Sequence, residues 1–176
     1  MEQYLEQGEV DGASLLAPFK QAMVDRHLIP VLFTSAREGV GVSELLDQVA
    51  ELFPSPADGN RAIFVRGTGE EREEFKATQN SADALLGHVF KIASDPFVGK
   101  LGYIRIHQGT LKDGESPRLD DERKPVRISS LLKMQGRDSS DQDSVIPGDI
   151  AVISKIDELH YNSVLHSEAG HSQLSL

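Results

Sequence analysis

The sequence contains no cysteine among its 176 residues, which excludes disulfide bonds and thiolate metal ligands within this chain. No apolar run approaches the roughly 20 residues that a membrane-spanning helix needs. Residues 1–6 also lack the basic and apolar regions of a secretory signal peptide. These absences favour a cytoplasmic protein that has no membrane partner.

Basic residues are outnumbered, with 18 Lys and Arg against 28 Asp and Glu and a net charge of −10. This balance excludes a nucleic-acid-binding surface that covers the whole chain. The deficit of basic residues is uneven. Residues 1–80 contain 7 basic and 14 acidic residues, and residues 81–176 contain 11 basic and 14 acidic residues. A contact with a phosphate backbone would therefore use a local basic patch in the second half.

The motifs of phosphate-binding and guanine-reading loops are absent. Gly99-Lys100 has Ser94 where a phosphate-binding loop needs its first glycine, and Leu101 where it needs Ser or Thr. We therefore predict that Gly99-Lys100 forms a turn between two strands. Asn80-Ser81-Ala82-Asp83 lacks the lysine of an Asn-Lys-x-Asp motif and follows no hydrophobic strand.

Candidates for catalysis or metal binding are no stronger. The six histidines include no His-Glu-x-x-His pair, and the neighbouring carboxylates Asp120, Asp121 and Glu122 have no apolar surroundings that would raise a pKa. The sequence therefore predicts no catalytic residue and no metal ligand in this chain.

The first 56 residues have the pattern of an α/β domain. Near-helical spacing of apolar residues predicts a helix over residues 17–28 with Pro18 in its first turn. The apolar run 29–33 predicts a buried parallel strand. Ser43 is a candidate N-cap for a second helix, whose apolar stripe ends before Pro54. A helix, a strand and a helix in this order indicate α/β architecture.

From Ala82 onward, apolar and polar residues alternate with a period of two, which predicts half-buried β-strands. The alternation covers residues 86–93, 102–107, 126–134 and 150–156. Turn-forming sequences separate these segments, namely Asp95-Pro96, Lys112-Asp113-Gly114 and Pro147-Gly148-Asp149. Several short strands joined by such turns favour a closed antiparallel β-barrel.

We therefore predict a mixed fold class, in which an incomplete α/β part precedes an all-β antiparallel barrel. The predicted segments are the α/β part at 1–56, an interdomain connection at 57–81 with one short strand near 62–66, the barrel at 82–165, and a linker or tail at 166–176. One strand cannot make a sheet, so the rest of the α/β domain must be absent or supplied elsewhere.

Two strings of residues carry a resemblance to a known family. The first consists of Pro30-Val31-Leu32-Phe33-Thr34-Ser35-Ala36, Gly41-Val42 and Pro54-Ser55-Pro56. The second consists of Val89-Phe90-Lys91-Ile92, Asp95-Pro96-Phe97-Val98-Gly99-Lys100-Leu101 and Gly148-Asp149-Ile150-Ala151. Over a stretch from about Tyr4 to Leu165 the sequence resembles bacterial elongation factor G-like translation GTPases. The first string resembles the end of the family's GTP-binding domain, and the second resembles its domain II barrel.

Some positions depart from the family pattern. Thr34 stands where the family commonly has Gly before Ser-Ala, and Arg37-Glu38 stand where Lys-Asn usually follow. Tyr161-Asn162-Ser163-Val164-Leu165 replaces a usual Thr-Gly-Asp-Thr-Leu. These departures indicate a divergent paralog.

The resemblance implies GTP and magnesium as cofactors of the full-length protein, with Ser35 and Ala36 on the guanine side. The family's phosphate-binding loop, switch regions and catalytic histidine have no counterpart in these 176 residues. We therefore expect no cofactor to bind this chain alone, and whether the chain takes part in an enzyme stays open.

The resemblance also implies that the barrel packs on small-subunit ribosomal RNA. The candidate contact residues are Arg123, Lys124, Arg127, Lys133 and Arg137. Arg127 and Lys133 are six residues apart on one predicted strand, so we expect them to point to the same side.

The implied function is ribosomal translocation during protein synthesis, with the chain itself monomeric. Two alternatives remain open: a ribosomal-protection or release-type translation GTPase, and a stand-alone β-barrel binding module.

Overall fold

The computed structural model describes residues 12–59, 62–67, 70, 72–120, 122, 124–136, 138–167 and 172–174. The chain divides into two units between Asn60 and Arg61. The described part contains two helices and twelve short strands, and every strand pairing in it is antiparallel. This composition confirms the predicted fold class.

The first unit contains helix α1, Gly12–Val24, and helix α2, Val42–Leu52, which contact each other. Helix α1 starts five residues earlier than predicted, so Pro18 lies in its interior instead of its first turn. Neither described helix is long and apolar enough to cross a membrane.

Two predictions for the first unit are wrong. The segment 29–33 belongs to no strand, because no strand in the described residues pairs with it. The N-cap of α2 is Gly41 and not Ser43. Gly41 has a φ of 72°, and a Cβ there would lie 2.7 Å from the carbonyl oxygen of Phe33, so this corner requires glycine.

No side chain among residues 12–59 is buried. Large apolar side chains on α2 and on the segment before it stay exposed, among them Phe33 and Leu46. The first unit therefore has no core of its own within the part described.

The second unit is a set of three antiparallel sheets. A seven-stranded sheet has the order β6-β11-β3-β4-β10-β7-β8, a three-stranded sheet the order β12-β1-β2, and β5 pairs with β9. The strands are β1 Ile63–Arg66, β2 Glu73–Lys76, β3 Leu86–Asp95, β4 Gly99–Gln108, β5 Leu111–Lys112, β6 Arg118–Leu119, β7 Leu131–Gln135, β8 Asp138–Asp141, β9 Ser144–Val145, β10 Ile150–Ser154, β11 Val164–His166 and β12 Ser172–Leu174.

Backbone hydrogen bonds join the segment before β6, the first strand of the seven-stranded sheet, to the segment before β7, its second-last strand. The amides of Val126 and Ile128, just before β7, donate to the carbonyls of Pro117 and Glu115, just before β6, both at 2.8 Å. This contact closes the sheet into the expected β-barrel, because it links β6, at one end of the sheet order, to β7, which lies next to the other end.

The barrel encloses one large apolar core. Its fully buried members include Val89, Ile104, Ile106, Ile128 and Ile153. A second, smaller cluster of Phe64, Ala77, Leu86 and Val164 packs between the three-stranded sheet and the barrel.

The predicted alternation in β3 fails at Phe90. The pairing with β4 shifts between Val89 and Lys91, so Phe90 is an extra residue and is exposed. Val89 and Ile92, three residues apart, consequently both meet the core. A β-bulge of this kind moves the later residues of a strand to the opposite face.

The three-stranded sheet uses residues from both ends of the second unit. β1 and β2 lie within the segment 57–81, which we expected to connect domains, and β12 lies within the expected tail, 166–176. Phe64 pairs with Phe75 on one side and with Leu174 on the other. Since β12 follows the barrel in sequence, only the tertiary fold brings it beside β1.

Candidate functional site

Arg127 and Lys133 do not lie on one continuous strand, so the predicted same-side geometry is wrong. Arg127 precedes β7, and Lys133 lies within it. Ile128 and Leu131 are three residues apart, yet both are buried in the barrel core. In an unbroken strand they would face opposite sides, so the alternation does not carry from Arg127 to Lys133.

A different arginine is the neighbour of Arg127. Arg118 forms a bridge with Pro125, and the amide of Val126 donates to Pro117. Leu119 and Pro117, on either side of Arg118, are buried, as is Ile128 next to Arg127. By alternation, Arg118 and Arg127 both point outward, as diagonal neighbours about 7–8 Å apart.

We call this pair of antiparallel segments, residues 115–118 and 125–128, the basic ribbon. Lys124 is exposed at its turn. Arg123 and Arg137 lie outside the described residues. The sequence did not predict Arg118 as a contact residue. Its partner Pro125 is seven residues away, and no turn-forming motif predicts the turn between them.

Lys133 has an acidic setting. It pairs with Ser140 of β8, a strand whose other members include Asp138 and Asp141. All four β8 residues are exposed, and Asp143 follows closely. These carboxylates lower the local potential around Lys133, which weakens its attraction for a phosphate.

The guanine-side candidates Ser35 and Ala36 start a closed turn. The amide of Ser35 donates to the carbonyl of Val40 at 2.9 Å, and the amide of Val40 donates back to Ser35 at 3.1 Å. The Ser35 hydroxyl accepts a bond from the amide of Glu38 at 3.4 Å. The Ser35 amide is already bonded, whereas the Ala36 amide makes no hydrogen bond within the described part of the chain.

Asp120, His160 and Ser163 come together but do not form a nucleophile relay. His160 Nε2 lies 3.2 Å from Asp120 Oδ2, while His160 Nδ1 faces the Tyr161 carbonyl at 3.0 Å. Neither ring nitrogen contacts the Ser163 hydroxyl, which is buried and accepts a bond from the His160 amide. These contacts therefore connect the loop at residues 160–163 to Asp120 and have a structural role.

Asp120 holds strand β11 with both its backbone and its side chain. Asp120 Oδ1 accepts from the Val164 amide at 2.7 Å, and the Asp120 amide donates to the Val164 carbonyl at 2.8 Å. His166 Nε2 contacts the Asp120 carbonyl at 2.8 Å. Asp120 adopts a φ of 48° to make these contacts.

An open groove of about 360 Å³ lies beside β2, lined in part by Phe75, Thr78 and Gln108. Its polar walls bond to each other: Gln108 accepts from the Thr78 amide and donates to the Ala84 carbonyl, both at 3.0 Å. Thr78 Oγ1 also donates to Asp83 Oδ2 at 2.5 Å. The polar groups of Thr78, Asp83 and Gln108 in this groove are therefore engaged with one another and with the backbone. No group of three potential metal ligands occurs among the described residues.

Two comparisons with known proteins name the same family. Residues 84–168 match the family model described as elongation factor G domain 2. Over 153 residues the chain is 32% identical to the elongation factor G of Mycoplasma pneumoniae, which covers 87% of this chain and 22% of that protein. A crystal structure of a protein from Thermus thermophilus is similar with a TM-score of 0.69 and 29% identity, and covers 96% of this chain and 22% of that one. The chain thus spans 22% of the length of each relative.

Proposed function

Since this chain belongs to the elongation factor G-like family, we propose that the full-length protein acts in ribosomal translocation in the cytoplasm. We propose that the barrel contributes docking on small-subunit ribosomal RNA. The observation that carries the docking proposal is the outward pairing of Arg118 and Arg127 on the basic ribbon.

The basic ribbon is suited to a phosphate backbone for two reasons. Its backbone is fixed by the bonds from Val126 and Ile128 that also close the barrel, so the two arginines are presented from a rigid base. Guanidinium groups bind phosphate through two parallel hydrogen bonds, which makes arginine the preferred residue for such contacts. Lys124 at the turn adds a third positive charge at the same end.

The test is binding of the chain to isolated small ribosomal subunits over a range of salt concentrations. We expect Arg118→Ala with Arg127→Ala to weaken binding roughly 10-fold or more, about 1.4 kcal/mol. The slope of log affinity against log salt should fall by about 0.7–0.9 for each phosphate that the variant no longer neutralises.

Lys133→Ala is the matched control, because Lys133 is an exposed cation in an acidic setting. We expect its affinity and salt slope to equal those of the unaltered chain. If the double arginine variant also leaves both quantities unchanged, the basic ribbon is not the docking surface.

We also propose that the full-length protein binds GTP with magnesium and that the turn starting at Ser35 faces the guanine. The Ala36 amide is the group this turn can offer a base, since the Ser35 amide is bonded to Val40. The chain supplies no phosphate-binding loop, and phosphate and magnesium contacts dominate nucleotide affinity. Calorimetry of the 176-residue chain with GTP and magnesium should therefore detect no micromolar binding. Ala36→Pro, which deletes the amide, should weaken GTP binding by the full-length protein.

A further inference from the structure

Asp120 directly follows β6, two residues beyond Arg118 of the basic ribbon. It is half-buried, and its φ of 48° is a left-handed conformation that is uncommon for residues other than glycine. A residue stays in such a conformation only when the contacts around it outweigh the strain. The contacts of Asp120 therefore show which neighbours fix this part of the chain.

Both the backbone and the side chain of Asp120 are bound to β11 and to the loop before it. The Asp120 amide donates to the Val164 carbonyl, and Asp120 Oδ1 accepts from the Val164 amide. His166 Nε2 lies 2.8 Å from the Asp120 carbonyl, and His160 Nε2 lies 3.2 Å from Asp120 Oδ2. Val164 and His166 are buried in the barrel. Asp120 is therefore fixed to the interior of the second unit.

The fixed position of Asp120 extends to Arg118. Arg118 pairs with His166 of β11 on one side and forms a bridge with Pro125 on the other. Strand β6 is only two residues long, so its own ladder secures it weakly. The contacts of Asp120 hold the end of this strand on β11. Their loss lets the end of β6 move, and the spacing between Arg118 and Arg127 changes with it.

We propose that Asp120 is a positioning residue for phosphate binding by the basic ribbon, and that it acts through Arg118. This inference rests on the docking proposed above for Arg118 and Arg127. Groups that are already held in place bind more tightly, because less conformational freedom is lost on binding. The carboxylate of Asp120 itself repels phosphate. Its contribution to binding must therefore come from position and not from charge.

Two substitutions that remove the same charge separate position from charge. Asp120→Ala and Asp120→Asn both delete one negative charge beside the ribbon, which by itself favours phosphate binding. Asn keeps an oxygen that can accept from the Val164 amide, whereas Ala does not. We measure binding to small ribosomal subunits as above. Asp120→Ala should weaken it about 3-fold, as loss of one of two equal arginine contacts would, and Asp120→Asn should bind at least as tightly as the unaltered chain.

A double-mutant cycle shows whether Asp120 acts through Arg118. Adding Asp120→Ala to Arg118→Ala should cause no further loss of affinity, because the arginine that Asp120 positions is already gone. General destabilisation would instead weaken binding equally in both backgrounds. Each variant is measured under conditions in which circular dichroism shows it to be folded. If Asp120→Ala does not fold, Asp120→Gly takes its place with the same expected results, since glycine adopts a positive φ without strain.

The outcomes separate this inference from the docking proposal. If Arg118→Ala leaves the affinity unchanged, both are overturned. If Arg118→Ala weakens binding and Asp120→Ala does not, only the positioning role is overturned. Equal weakening by Asp120→Ala and Asp120→Asn, or equal weakening by Asp120→Ala with and without Arg118, overturns the positioning role too.

Discussion

The ring of His107 meets the ring of Phe64 edge-on, with 5.2 Å between the ring centroids and 71° between the ring planes. Phe64 lies on β1 and His107 on β4, so the contact joins the three-stranded sheet to the barrel. His107 Nε2 is buried and has no hydrogen-bond partner in the described structure. His107 thus packs as a neutral aromatic ring.

This contact should make the second unit acid-sensitive. Burial, followed by the charges of His88 and Arg105, lowers the pKa of His107 from 6.5 to about 4. The unfolded chain therefore binds the proton more readily than the folded one. The stabilisation is complete above pH 6.5 and is lost as the pH falls toward 4, by up to about 3 kcal/mol.

Urea unfolding at pH 7.5 and pH 4 measures this effect. His107→Leu cannot titrate, so its loss of stability between the two pH values should be smaller than that of the unaltered chain. The carboxylates common to both proteins cancel in this comparison. Equal losses in the two proteins would rule out His107 as the acid-sensitive group.

Gly109 should tolerate no side chain. Its φ is +72°, and a Cβ there would lie 2.6 Å from the Cα of Leu85, which belongs to the backbone and cannot rotate away. Gly114 has a similar φ of +76° but no atom within 4 Å of the Cβ position. Gly114→Ala should cost about 1–2 kcal/mol from backbone strain alone, and Gly109→Ala should cost more than about 3 kcal/mol, toward the exceptional range for a point mutation. Denaturant unfolding of both variants measures the difference, and equal costs would contradict the close approach.

Asp120 should be replaceable by asparagine but not by alanine. Asp120→Ala leaves the Val164 amide without its acceptor at 2.7 Å, at a cost of about 1–3 kcal/mol. Asn keeps a side-chain oxygen and tolerates the φ of 48°, so Asp120→Asn should cost less than half as much. Thermal unfolding of the two variants tests this, and a loss in Asp120→Asn as large as in Asp120→Ala would show that the charge matters more than the acceptor.

Local features of the sequence predicted the parts of the fold that depend on neighbouring residues. The turn at Asp95-Pro96 was predicted correctly, because Asp95 Oδ1 accepts the amides of Phe97 and Val98 two and three residues away. The alternation of Ile104 and Ile106 in β4 was also correct, since both are fully buried. The alternation of a strand and the side-chain hydrogen bonds of a turn both depend only on residues a few positions apart, so the local sequence predicts them.

Non-local contacts decided the rest. The segment 29–33 has the composition of a buried strand, but a strand forms only where a partner edge receives its hydrogen bonds. The bulge at Phe90 comes from the register between β3 and β4. Strands β1 and β12 pair although all the barrel strands lie between them in the sequence. The sequence predicted Lys133 as the neighbour of Arg127, whereas the structure places Arg118 there, for the same reason. The hydrogen bonds between residues 115–118 and 125–128 decide which side chains lie together. Neither segment alone contains a periodic pattern that predicts this pairing.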